Sequence, residues 1–385
     1  MFKPLTIYSV DKTQDIPASI WDQLANPDAA SFSPFLTHAF FNALEESGSA
    51  CQATGWQPLH LVAKDEQGEI CGILPLYLKS HSQGEYVFDH GWAQGFEMAG
   101  GRYYPKMLSA IPFTPVTSRK LFTAQHDQEH ITKQLIEAAV KQVELKGLSS
   151  LHCNFIDPAL APLLETQGFL LRRDTQFHWQ DQNYQDFEGF LNCLQSRKRK
   201  ALRKERKAAL KDGLEVKWIE GDEIKGEHWD AFYAFYMDTG TRKWGTPYLT
   251  RNFFDQIDAT LKQHVVFIFA YQDDTPIAGA LNFKGGTTLY GRYWGTLQCH
   301  PFLHFEICYY QAIDYALAHG LTRVEAGAQG EHKLLRGYTP CETYSAHYIS
   351  HPGFKRAVNQ FLEEEGSYVK LRNNVLHDHL PFKKK

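Results

Sequence analysis

LHLVAKDEQGEICGILPLYLKSHSQGEYVFDHGWA (59–93) and VFIFAYQDDTPIAGALNFKGGTTLYGRYWG (266–295) are the two stretches on which the fold turns. Each opens on an apolar run that ends in Ala (Ala63, Ala270). Each crosses a polar turn and continues as Ile-x-Gly-x-Leu (Ile70 to Leu74, Ile277 to Leu281). After another turn comes an aromatic segment, read as a third strand, that ends in Gly91-Trp92 or Trp294-Gly295.

The match continues beyond these hairpins. ITKQLIEAAVKQVELKGL and FEICYYQAIDYALAHGL both carry helical periodicity and both end in Gly-Leu, at Gly147 and Gly320. Glycine there stops a helix, because it takes the left-handed conformation after the last turn at little cost. A short strand follows in each copy, LHCNF and RVEAG, and then a Gly-aromatic pair, Gly168-Phe169 and Gly337-Tyr338. Ten residues past each of those glycines stands a histidine, His178 and His347. Agreement in order, spacing and residue type over such a span implies a tandem duplication. A histidine kept at the same place in both copies reads as structural. Strands joined by helical connections predict mixed sheets with helices on their faces.

A chain of 385 residues is long enough for two domains. Its net charge of −4 argues against a general polyanion binder. Seven scattered cysteines without a CxxC pair suggest neither a disulfide framework nor a zinc site, so a reducing cytoplasm is the expected location. The first residues lack the apolar run of a signal peptide, and no stretch approaches the roughly 18 apolar residues of a transmembrane span.

One segment departs from the overall charge. SRKRKALRKERKAALKDG (196–213) carries nine Lys or Arg residues between Arg197 and Lys211. Arg199, Arg203 and Arg206 fall on one helical face, while Leu191, Leu194, Leu202 and Leu210 supply an apolar side. Like charges at this density repel one another unless anions face them. The segment reads as an anion-binding helix for CoA phosphates, a carrier-protein surface, tRNA or acidic lipid. The alternative is a solvated face paired with acids elsewhere in the chain.

Three blocks in the second half concentrate reactive side chains. In Tyr290-Gly291-Arg292-Tyr293-Trp294-Gly295, strand alternation sends Arg292 and Trp294 one way and Tyr293 the other. In Leu303-His304-Phe305-Glu306-Ile307-Cys308-Tyr309-Tyr310, His304 and Glu306 lie at a helix start. There a carboxylate serves chemistry or simply complements the helix dipole. The third block, GAQGEHKLLRGY (327–338), follows a strand. Gly327 and Gly330 let backbone N–H groups approach a phosphate or oxyanion, and Lys333 and Arg336 are spaced to flank one anion.

The blocks FHW (177–179), SRKRKALRKER (196–206), YGRYWG, LHFEICYY and GAQGEHKLLRGY together resemble the FemAB-like "peptidoglycan biosynthesis/recognition" family of the GNAT acyltransferase superfamily. The resemblance runs from about residue 20 to 370 and is strongest after 177. It implies an α/β chain of the α+β type, with tandem duplicated GNAT-like domains and mixed, mostly antiparallel sheets flanked by helices. The domains are expected at 1–180 and 181–385, the second including the basic helix. The resemblance also implies an N-acyltransferase that moves an acyl or aminoacyl group from a thioester or aminoacyl-tRNA to an amine. No permanently bound cofactor is expected; acyl-CoA or another activated acyl donor would be a co-substrate. The partners implied are a small or carrier-linked donor, an amine acceptor, and tRNA or an acyl-carrier protein at the basic helix. The Arg-x-x-Gly-x-Gly pyrophosphate loop of ordinary GNAT enzymes is lacking, and Gln329-Gly330 matches it only in part.

In direct attack the amine needs a base, the carbonyl oxygen needs donors, and the leaving group needs a proton. The candidate bases are Glu306 and His332, then His304 and Glu331. Tyr290 or Tyr309 is the candidate acid, and the backbone from Gly327 to Gly330 polarises the carbonyl. Arg292, Lys333 and Arg336 would hold phosphates or an acceptor carboxylate, with Trp294 and Gln329 beside them and Arg199, Arg203 and Arg206 on the donor. Three other readings compete. One is a metal site from His304, Glu306, Glu331 and His332, without HExxH spacing. Another is a Cys308 nucleophile with His332. The third is a non-catalytic recognition module for a cell-wall or carrier ligand. The first half has nothing like GAQGEHKLLRG after LHCNF, so it is expected to lack the phosphate- and proton-handling groups.

Overall fold

A computed structural model describes residues 4–383 except Asp212, Gly245 and Gln329. The side chains of residues 243 and 244 are likewise outside the description. The chain forms two compact units. One comprises residues up to Pro27, Phe35–Asp174 and Glu342–Leu371; the other Asp28–Pro34, Thr175–Cys341 and the residues from Arg372.

The second unit is built on Val265–Gln272, whose first six residues are all buried. A continuous apolar run of this kind belongs at the centre of a sheet covered on both faces. Phe267 and Phe269 meet Trp229, Phe232 and Phe235 of the helix Gly226–Trp244. Val266, Ile268 and Ala270, on the other face, share a core with Ile307, Tyr310 and Ile313. Glu215–Glu220, Val265–Gln272, Thr275–Gly285 and Thr288–Thr296 pair antiparallel in that order. Arg323–Glu325 then adds parallel to Thr288–Thr296, and its other edge pairs antiparallel with His178–Gln180.

The first unit repeats the plan. In it Tyr344–Ile349 pairs with Ser150–Ile156, which is joined in parallel by Lys106–Ser109, and Tyr77–Lys79 and Trp56–Pro58 follow. Four further strands, Thr6–Val10, His60–Lys64, Ile70–Leu74 and Phe122–Thr123, form a separate antiparallel sheet. The helix Gln128–Leu145 covers the apolar face through Ile131, Leu135, Ala139 and Val143. It ends as its sequence predicts: Gly147 has φ +60°, and Leu148 N–H reaches back to Val143 O.

One sequence expectation fails. The segment ending in Gly91-Trp92 is no strand. His90–Met98 is a helix. Asp89, just ahead of it, turns inward to Tyr103 and Lys106, and Trp92 and Ala93 pack with Phe354, Val358 and Leu362. The parallel strand of this unit comes instead from Lys106–Ser109.

Gly295 fixes how the helix Gly226–Trp244 lies on the second unit's sheet, since a Cβ there would sit 2.1 Å from Phe235 O. Backbone cannot yield as a flexible side chain does. Gly295→Ala is therefore expected to lower stability by about 1–3 kcal/mol, read as a fall in the urea midpoint at unchanged slope.

Candidate active site

The parallel pairing of Thr288–Thr296 with Arg323–Glu325 covers three positions and ends at Tyr290↔Glu325. At that point the antiparallel partner also slips. Leu281 faces Tyr293 and Asn282 faces Gly291, so Arg292 is the added residue of a bulge. Bulges re-aim side chains and gather near active sites. Here the bulge breaks the expected alternation and lays the Arg292 guanidinium, buried, 3.4 Å from Glu325 Oε2. Glu325 in turn lies across from His178, whose imidazole burial holds below its usual range. Tyr290 is buried beside Arg292, and its phenol is pushed up to about 12, first by burial and then by Glu325.

Across from the bulge the chain from Leu303 to Ala318 is helical but widened into a π turn over Glu306–Tyr310. Such turns insert a residue and often sit at functional sites. This one is pinned by Glu306, whose side chain is fully buried and receives Arg206 Nη2 at 2.8 Å, Arg206 Nε at 3.1 and 3.2 Å, and Gln311 Nε2 at 2.8 Å. Arg206 also holds Asp314 at 2.6 Å and lies over Phe187. The neighbouring Glu205 accepts from Tyr310 Oη at 2.6 Å and Arg336 Nη2 at 2.8 Å.

The Gly-rich block forms a 3-10 helix, Glu331–Arg336. Gly330 needs its φ of +113°, and a Cβ there would collide with the His332 ring. His332 Nε2 lies 2.8 Å from Tyr309 Oη. Burial first, then the charges of Lys333 and Arg336, lower the His332 pKa and favour neutral imidazole. Burial raises the Tyr309 phenol well above its usual range, so it stays protonated. His304 completes the group, its ring 5.2 Å from Trp294, 5.4 Å from Tyr309 and 6.3 Å from His332. Lys333 is buried with its amine 3.0 Å from Gly327 O. Burial, aided by Arg292, brings it down to about 7.

The sequence candidates thus separate into two sets. His304, His332, Tyr309, Trp294 and Lys333 gather near the Gly327–Gly330 turn. Glu306 lies under the π turn in its ion pair, Arg336 stacks on Phe305 and bonds His332 O, and Arg292 pairs with Glu325. Glu331 stands exposed against Arg372. Gln329 lies outside the described residues. On the basic helix, Ser196–Ala209, Arg206 is consumed internally, Arg203 meets Glu188 at the surface and Arg199 reaches Asn192 at 3.5 Å. Arg197, Lys200, Lys204 and Lys207 face solvent. Sequence reasoning missed Glu205, Asp314 and Glu325, because their partners lie 33 to 131 residues away. Among the described residues, no group of three or more His, Cys, Asp or Glu is arranged to hold a metal ion, and no helix is long and apolar enough to cross a membrane.

The chain matches the model of the FemAB-like family, described as peptidoglycan biosynthesis/recognition, over residues 12–384. No curated protein matches it. Among solved structures, FemX is similar at 13% identity with a TM-score of 0.53, over 92% of this chain and 100% of that one. L-PGS from Bacillus licheniformis is similar at 10% identity and TM-score 0.51, over 86% and 98%. The C-terminal domain of a putative lysylphosphatidylglycerol synthetase from Agrobacterium fabrum gives 11% and 0.53, over 89% and 96%. At such identities the likeness is one of fold: mixed sheets flanked by helices, as the sequence implied.

Removing Arg206 strands a fully buried carboxylate, which typically costs about 3–5 kcal/mol. Arg206→Ala is expected to lose stability on that scale, and Arg206→Ala with Glu306→Gln to recover much of it. Lys200→Ala should change stability by less than about 0.5 kcal/mol. Chemical denaturation of the four proteins measures this.

Proposed function

Because the chain belongs to the FemAB-like family of acyltransferase-type enzymes, we propose that its second unit transfers an acyl or aminoacyl group from an activated carrier to a primary or secondary amine. The observation that carries this reading is the Tyr309–His332 hydrogen bond, set beside the buried Lys333. Transfer by direct attack forms a C–N bond and breaks a C–O or C–S bond. One proton leaves the nitrogen and one arrives on the departing oxygen or sulfur. A neutral His332 accepts the first, and Tyr309, bonded to it, supplies the second, so the pair ends the turnover with its protons restored. Lys333 in its protonated form offers a cation in a water-poor setting to the oxyanion of the tetrahedral intermediate. Glu306, Arg206, Glu205 and Arg336 hold the frame that carries these groups. His304 and Trp294 pack beside them.

The exposed cations of the basic helix favour a polyanionic carrier. Its charge density, and the lack of a complete pyrophosphate loop, favour aminoacyl-tRNA over acyl-CoA. The family description directs the acceptor towards an amine of a peptidoglycan precursor. Intact-mass assay of precursor amines with aminoacyl-tRNA, acyl-CoA and acyl-carrier protein tests the reading. A mass increment of one acyl unit with the tRNA donor is the expected result; binding with no increment from any donor refutes it.

Lys333 yields a second test with opposite signs. Between pH 7 and its ordinary 10.5 the unfolded chain binds a proton at this residue that the folded chain does not. The residue therefore weakens the fold fully at and below about pH 7, and the cost fades as pH rises towards 10.5. Lys333→Met is expected to raise the thermal midpoint at pH 7 while lowering transfer about 10²–10⁴-fold. A variant that is less stable, or fully active, speaks against the role.

A further inference from the structure

The sheet of the first unit has two unlike faces. Met107, Leu151, Cys153 and Ala346 point into an apolar core. The opposite face carries Lys79, Lys106, Ser150, His152, Asn154, Ser345 and His347, and every one of them is buried. The segment from Ser82 to Tyr103 closes over them and adds Glu85, Asp89 and Tyr103, also buried. The sequence led to the opposite expectation, a first unit without proton-handling groups.

Most of this network is satisfied. Lys106 Nζ donates to Ser82 Oγ and Glu85 Oε2, both at 2.8 Å, and to Asp89 Oδ2. Tyr103 Oη donates to Asp89 Oδ2 at 2.6 Å and lies 3.3 Å from His152 Nε2. His152 Nδ1 and His347 Nδ1 are 2.6 Å apart, and His347 Nε2 is 2.9 Å from Ser345 Oγ. Burial holds His152 down to about 3 and His347 well below its usual range, so both rings are neutral and share one proton between their Nδ1 atoms.

Three acceptor oxygens are left over. Glu85 Oε1, Asp89 Oδ1 and Asn154 Oδ1 are buried with no hydrogen-bond partner among the described residues. They belong together: Lys106 bridges the two carboxylates, and Asn154 Nδ2 reaches Glu85 O at 3.4 Å. An unmet buried acceptor costs about 1–3 kcal/mol, so three in one place mark an absent donor. The charges agree. Burial would raise Asp89, but Lys106 holds it well below the carboxylate range. Lys79 Nζ stands 3.9 Å from Glu85 Oε1, too far for a hydrogen bond, and burial lowers it to about 7, so Lys106 is the firmer cation facing the two carboxyls. Burial, and after it the Asp89 charge, push Glu85 up to about 7 against the pull of Lys106.

We propose that the first unit binds a primary ammonium group, whose three N–H donors meet Glu85 Oε1, Asp89 Oδ1 and Asn154 Oδ1. A primary ammonium matches the three oxygens in number, and its charge makes each bond a charge-assisted one. The site owes nothing to the chemistry assigned to the second unit.

Methylammonium is the probe, titrated into the full chain while the ring nitrogens of His152 and His347 are followed by NMR. Tyr103 couples those rings to Asp89, so they report on the pocket. Saturable shifts with methylammonium are expected, and none with tetramethylammonium, which has no N–H to donate. Asn154→Leu should weaken methylammonium at least about tenfold, the scale of one lost charge-assisted bond. Glu85→Gln should weaken the probe likewise, and Lys333→Met should leave it unchanged. Rings that do not move, rings that respond equally to tetramethylammonium, or full affinity in Asn154→Leu would each overturn the assignment and leave water as the missing donor.

Discussion

The arrangement of the second unit depends on one ion pair. Arg206 comes from a helix crowded with like charges, and Glu306 comes from a turn that the sequence gives no reason to bury. Neither group is tolerable alone: the carboxylate is fully buried, and the arginine stands among cations. Together, with Asp314 and Gln311 completing the hydrogen bonds, they fix the basic helix against the π turn. Glu205, the next residue back, holds Tyr310 and Arg336 in the same way. Tyr309 and His332 inherit their positions from those two anchors. Glu306, the first candidate base, is engaged by Arg206 and Gln311, and Arg336, an anion-holding candidate, by Glu205. In the proposed reading His332, Tyr309 and Lys333 handle the protons.

Much of the fold was legible because its signals are local. Gly147 and Gly320 stop helices where the Gly-Leu pairs stand, and the apolar run at 265–270 became a buried central strand. The duplicated order gave the strand and helix sequence of both copies except at 86–92. There the aromatic character of Val-Phe-Asp-His-Gly-Trp suggested a strand. Burial of Asp89 on Lys106 and Tyr103 prevailed over it and a helix formed.

The candidate site was legible in its members and not in their partners. Density of ionisable residues drew attention to 290–338, and His304, His332 and Lys333 do converge there. Which charge meets which is decided by contacts across about a hundred residues of chain, and no spacing rule reaches so far. The polar face of the first unit shows the same limit more sharply. Its lysines, acids and histidines are spread singly from Lys79 to His347, and the fold assembles them.

The central claim is that a neutral His332 works with a protonated Lys333 in the second unit. The dependence of kcat/KM on pH tests it most directly. His332 must lose its proton to act as base, and its pKa lies below the ordinary 6.5, so activity should fall only as pH drops below that value. Lys333 must keep its proton, so activity should fall again as pH rises through about 7. The account predicts a narrow bell with its optimum on the acid side of neutrality, its acid limb lost in His332→Gln. A profile that keeps rising above pH 8, or an acid limb unchanged in His332→Gln, would contradict it.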